Sequence, residues 1–117
     1  MNGLNSFELH ATGRLAAEPA VGKKGEVKFA LIGEDYAGPN RDPITTSVYF
    51  VAFGTIGEAI AHNVRKGDQL IIRAQVLANN YDKNGETIYG HSFIVQGFIF
   101  GAPGKAKREA LQERAAS

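Results

Sequence analysis

The chain has 117 residues, 44% of them hydrophobic, with no cysteine, no tryptophan and a formal net charge of +1. That length and apolar content suit one domain with a core of ordinary size, and the lack of cysteine excludes disulfide frameworks and thiolate metal sites. The charge is uneven: up to Gly104 there are 9 Lys plus Arg against 10 Asp plus Glu, and the remaining segment adds 4 against 2, so the body lacks the basic excess with which nucleic-acid binders usually neutralise phosphates.

No uninterrupted apolar run is long enough for a membrane span, and Met1 to His10 lacks the basic start and apolar centre of a signal peptide, so a cytoplasmic protein is expected. Phe7 to Leu15 alternates, with Phe7, Leu9 and Ala11 opposite Glu8, His10 and Thr12, and reads as a first strand that bends at Glu18-Pro19. Gly22-Lys23-Lys24-Gly25 reads as a turn into a second strand, where Val27, Phe29 and Leu31 alternate with Lys28, Ala30 and Ile32. From Gly33 to Thr46 the chain is rich in Gly, Pro, Asn and Asp without periodicity, which predicts an exposed loop.

The central strand places Val48, Phe50 and Ala52 on one face and Tyr49, Val51 and Phe53 on the other, both apolar, so both need covering. Thr55 with Glu58 three residues on predicts a capping box at a helix start. Ile56, Ala59, Ile60, Asn63 and Val64 form its apolar stripe, and Gly67 supplies a left-handed stop. A long strand follows, with Leu70, Ile72, Ala74, Val76 and Ala78 on one face and Arg73 and Tyr81 on the other. Asp82-Lys83-Asn84-Gly85 is a hairpin turn, and a return strand runs from about Thr87 to Phe100 with bulges expected at Gly90 and Gly97. Residues 105–117 have helix propensity but no stripe to dock, so a single domain over 1–104 with a charged, flexible tail is expected.

Five strands, one short helix between the third and fourth, and a long hairpin between the fourth and fifth predict an all-β Greek-key barrel of the OB-fold type. The body also resembles bacterial single-stranded DNA-binding proteins. The resemblance rests on Gly13-Arg14-Leu15 followed by Glu18-Pro19, on Phe53-Gly54 leading to Glu58, on Arg65-Lys66-Gly67-Asp68-Gln69-Leu70, and on the Tyr81 to Tyr89 hairpin. It implies a non-enzymatic homo-oligomer, dimer or tetramer, pairing through the first strand, with Leu9 and Ala11 or the opposite face in contact. It further implies binding of single-stranded DNA with little sequence preference, in replication, recombination or repair. Two features depart from the family: tryptophan is absent, and Gly104-Lys105-Ala106-Lys107-Arg108-Glu109 replaces a glycine-rich linker with an acidic tip. Both favour a plasmid-borne, phage-borne or primosome-accessory relative, and the missing tip removes the expected route for recruiting repair enzymes.

The resemblance places Phe53 and Tyr81 at base-stacking positions, with Tyr36 within a residue of another; Tyr49 stands one step from a fourth. An aromatic on a strand is otherwise more often core or a cross-strand partner, which is the reading for Phe29, Phe50, Phe93 and Phe98. Stacking needs cations beside it. Lys23, Lys24 and Arg73 are the preferred phosphate partners, ahead of Lys28, Arg41 and Lys83, while Arg14 equally suits a subunit contact. His10, His62 and His91 stand far apart without ligand spacing, so no metal is expected. Gly54-Thr55-Ile56-Gly57 is similar to the loop of K-homology domains, but that loop joins two helices, whereas here a strand precedes it. No hydrolase or phosphate-loop motif is present, so neither catalysis nor a cofactor, small-molecule substrate or membrane partner is expected. The alternative is a primosome-type accessory protein acting mainly through contacts with other replication proteins.

Overall fold

Alternation builds the first strand as the sequence predicts. In the computed structural model, which describes residues 5–36 and 38–104, β1 (Phe7–Leu15) turns Leu9, Ala11 and Leu15 toward the interior and exposes Glu8, His10, Thr12 and Arg14. The predicted tail, 105–117, lies outside the described residues. β2 (Ala20–Val21) and β3 (Val27–Tyr36) flank a tight turn, closed by the Gly22 N–H donating to the Glu26 carbonyl at 2.7 Å.

β4 (Pro43–Ala52) pairs antiparallel with all of β3, from Val27 opposite Ala52 to Tyr36 opposite Pro43. This corrects the loop expected over Gly33 to Thr46: most of it is ladder, and only 37–42 connects the strands. The outer half of this ribbon is exposed on both faces, so it has no apolar alternation to read, and Pro43 is tolerated because it opens the strand.

α1 (Gly54–Asn63) follows. The predicted capping box is not formed. The N-cap is Phe53, with extended backbone and no side-chain cap bond, and Gly54 makes the turn into the helix at φ +61. The helix also ends earlier than expected. Val64 is its C-cap, Arg65 Nη1 donates to the Ala61 and Val64 carbonyls at 3.1 Å each, and Gly67 (φ +88) serves the turn beyond. The stripe is otherwise as predicted: Ile60 and Val64 are fully buried, whereas Asn63 is exposed. Gly57 allows the close approach, since a Cβ there would lie 2.8 Å from the Ala52 carbonyl oxygen.

β5 (Gln69–Ala78) and β8 (His91–Phe100) are antiparallel partners, joined through a small arm made of β6 (Tyr81–Lys83) and β7 (Glu86–Ile88). Asn84 and Gly85 both take positive φ at its tip, the geometry of a type I′ turn. The return strand is therefore two pieces, and His91 starts the second. The register shifts between Arg73 and Ala74, where Gly97 and Val95 are the successive partners and Gln96 is the extra residue. The bulge predicted near Gly97 is present.

The strands close in the order β1-β5-β8-β4-β3, with Arg14 opposite Ile32 and Leu15 opposite Leu31 completing the ring. β4 meets β8 in parallel at Val51 and Ile94. Five strands thus form an all-β barrel of OB topology, and α1 follows the third of them. The core inside holds Leu15, Val27, Phe29, Leu31, Phe50, Ile60, Leu70, Ile72 and Val95, with Phe93 and Phe98 packed against it. Phe29 stacks on Phe50 at 5.6 Å between ring centroids, as expected of core aromatics. The buried Asp68 closes one end, accepting from the Arg65 N–H at 2.9 Å and the Gly104 N–H at 2.6 Å.

Candidate nucleic-acid interface

The β3–β4 register decides which side chains share the outer wall. Because alternate residues point the same way, β4 presents Tyr49 and Val51 outward, opposite Ala30 and Lys28 of β3. Phe53 keeps extended backbone (φ −119, ψ 159) and so continues that face past the strand end. Tyr49 is 76% exposed and Phe53 54% exposed, although the sequence required both faces of this strand to be covered. The outward face is instead open, as the resemblance implied. Four residues at about 3.3 Å each separate the two rings by about 13 Å.

Tyr36 lies on the same wall at its far end, opposite Pro43 and 68% exposed. Six residues of β3 separate it from Ala30, the partner of Tyr49, a span of about 20 Å. Lys23 and Lys24 are exposed in the turn beyond the Val27–Ala52 end, which is the Phe53 end of the wall. Tyr81 is on the arm, 53% exposed and opposite Ile88. The arm is continuous with the barrel through the Asn79 N–H, which donates to the Gly90 carbonyl at 2.9 Å. A cleft of about 450 Å³ lined by Leu9, Ser47, Val48, Tyr49, His91 and Phe93 separates β4 from the base of this arm.

Arg73 is not brought together with the others. It projects from the outer face of the β1–β5–β8 wall, across the barrel from β3–β4, where Nη1 meets Glu8 Oε1 at 3.1 Å. Its guanidinium lies over Gly97, 3.6 Å from where a Cβ would stand. Glu8 also holds His10, at 3.4 Å.

Sequence reasoning passed over three exposed aromatics. Tyr89, 78% exposed, follows β7 at the arm base, Phe7, 76% exposed, opens β1, and Phe100, 49% exposed, ends β8. Tyr89 was legible as the residue after the strand that answers Tyr81. Alternation grouped Phe7 with Leu9 and Ala11, which turn inward, but it opens the strand and is left exposed beside Val76 and Phe93. Among the described residues no group of three or more His, Asp or Glu is placed to hold a metal ion.

No protein-family profile matches this chain, and no curated relative is found by sequence. Solved structures do resemble it. The mitochondrial single-stranded DNA-binding protein Rim1 of S. cerevisiae superposes with a TM-score of 0.70 at 18% identity, covering 86% of this chain and 100% of that one. A Plasmodium falciparum SSB in complex with ssDNA gives 0.69 at 19% identity, covering 86% and 99%. The small single-stranded DNA-binding protein of Streptomyces coelicolor gives 0.61 at 13% identity, covering 84% and 96%. At these identities the likeness establishes the fold.

Proposed function

We propose that this OB-fold chain binds single-stranded DNA with little sequence preference, stacking bases on Tyr49, Phe53 and Tyr81 and pairing backbone phosphates with lysines. The observation that supports it is the exposure of Tyr49 and Phe53, in line on one wall of the barrel. Two large rings left in water on one line offer a flat surface on which bases can stack regardless of sequence. Solved structures of the same fold include single-stranded DNA-binding proteins, one of them in complex with ssDNA. Coating exposed strands in replication, recombination or repair, in the cytoplasm, is the role that fits such binding.

The same reading includes a homo-oligomer. β1 pairs with β5 from Phe7 to Arg14, but with β3 only at Arg14 and Leu15, so among the described residues its other edge is open over most of its length. An open edge invites a strand from a second copy. The test of binding is a fluorescence titration: oligo-dT is expected to quench tyrosine emission at moderate salt and to compete better than duplex DNA. No binding to long oligo-dT at low salt refutes the proposal.

A second reading, an accessory protein working mainly through other replication proteins, is favoured by the outer face of β5–β8. There Ile71 and Ile99 are opposite each other, 38% and 66% exposed. An association with replication proteins that survives nuclease treatment, in a chain that fails the oligo-dT titration, supports this second reading over the first.

A further inference from the structure

The outer wall of β3–β4 is not uniform in charge. Along β3 its outward residues are Lys28, Ala30, Ile32, Glu34 and Tyr36, and along β4 they are Val51, Tyr49, Ser47, Thr45 and Pro43. Within these two strands one cation therefore stands at the Phe53 end and one anion at the Tyr36 end, with an uncharged stretch between them; beyond the strands, Lys23 and Lys24 add to the first end, while Arg41 and Asp42 offset each other at the second.

Lys28 is opposite Val51, which lies midway between Tyr49 and Phe53. Cross-strand neighbours are about 5 Å apart, so the Lys28 stem starts beside the gap between the two rings. Its side chain is exposed and makes no hydrogen bond or ion pair among the described residues. Arg73, by contrast, is engaged with Glu8. Glu26 is next along β3, but its carboxylate is turned back over Gly22 and accepts the Lys24 N–H at 3.1 Å, which leaves Lys28 the charge that faces the gap. Glu34, opposite Thr45, is exposed between Ile32 and Tyr36, and Asp35 is beside it, accepting the Tyr36 N–H at 2.8 Å. By alternation Asp35 belongs to the other face, so a phosphate approaching the Tyr36 ring along the wall meets the Glu34 carboxylate, whereas a phosphate between Tyr49 and Phe53 meets an ammonium.

We infer that the single-stranded DNA footprint on this wall is centred on Lys28, which pairs with the backbone between the Tyr49 and Phe53 rings, and that it ends at Glu34, short of Tyr36. The inference rests on the proposed binding of single-stranded DNA and names its boundary and its phosphate partner. Exposure alone gives no such boundary, since Tyr36 is as open as Tyr49. Charge separates the two.

The experiment is anisotropy of labelled oligo-dT across a salt series with the full chain and five variants. A single phosphate contact on a single strand changes the slope of log K against log salt by about 0.7. Lys28→Gln is expected to lose that much slope and to bind several-fold more weakly at low salt, whereas Lys28→Arg retains the slope. Tyr36→Ala is expected to bind within twofold of the parent, and Glu34→Gln to bind more tightly as salt is lowered. If the parent binds and Lys28→Gln keeps the parental slope, or Tyr36→Ala weakens binding as much as Tyr49→Ala does, this inference is overturned while the proposed function stands. If the parent does not bind oligo-dT at low salt, both fall together.

Discussion

Replacing Tyr49 and Phe53 together with alanine separates a nucleic-acid platform from a structural aromatic pair. Each ring that stacks a base contributes about 1–3 kcal/mol. The rings are about 13 Å apart by register, beyond the roughly 7–10 Å within which side chains usually couple, so the two losses are expected to add to about 2–6 kcal/mol. With a tenfold change per 1.4 kcal/mol, even the lower bound weakens binding about 30-fold. Folding should change little: at 76% and 54% exposure the rings lie mostly in solvent, and surface changes of this kind stay within about 0.5 kcal/mol each, or about 1 kcal/mol for the pair. For a domain of this size that is a melting shift below about 8 °C. Anisotropy with labelled oligo-dT reads the first quantity and thermal unfolding by circular dichroism the second. A folded double variant with parental affinity refutes the stacking assignment. A fall in melting temperature of more than about 10 °C shows that the rings hold the barrel together rather than a ligand.

Gly57→Ala is expected to lower stability despite the roughly 1 kcal/mol that alanine gains over glycine in a helix, because its Cβ would stand 2.8 Å from the Ala52 carbonyl oxygen, which the ladder holds in place. Gly33→Ala, whose Cβ meets nothing within 4 Å, is the control, and equal melting temperatures for the two contradict the packing argument. Asp68→Ala strands the Arg65 and Gly104 N–H groups. At about 1–3 kcal/mol for each buried donor left without a partner, it should unfold at clearly lower urea concentration than the parent, and an unchanged midpoint would show that water replaces the carboxylate. Light scattering is expected to give a mass that is a multiple of 12.6 kDa; a monomer at micromolar concentration would contradict pairing through β1.

The elements that could be read from sequence are those whose cause is local. β1 was legible to its last residue because one face meets the core, and the arm because Asn84-Gly85 accepts the positive φ that its turn demands. The outer half of the β3–β4 ribbon was not. Residues 43–47 are exposed throughout, and what makes them a strand is a backbone ladder to β3 that leaves no mark on side-chain pattern. The helix start failed for a related reason: Thr55 and Glu58 have the right spacing, but Gly54 turns the chain so that the cap falls at Phe53, two residues sooner. For the site, strand parity correctly put Tyr49 and Phe53 on one side. Parity says nothing of how a sheet closes, and closure is what carries Arg73 to the opposite wall.

The closure itself is narrow. The β3–β4 ribbon is sewn to the other three strands at Val51 with Ile94 along one border and at Arg14 and Leu15 with Ile32 and Leu31 along the other, whereas each half is stitched internally along ten residues or nearly so. By backbone pairing the barrel is two plates joined along two short borders. Their union therefore falls largely to side chains that cross between them, such as Phe50 of β4 against Phe93 of β8 at 5.9 Å between ring centroids.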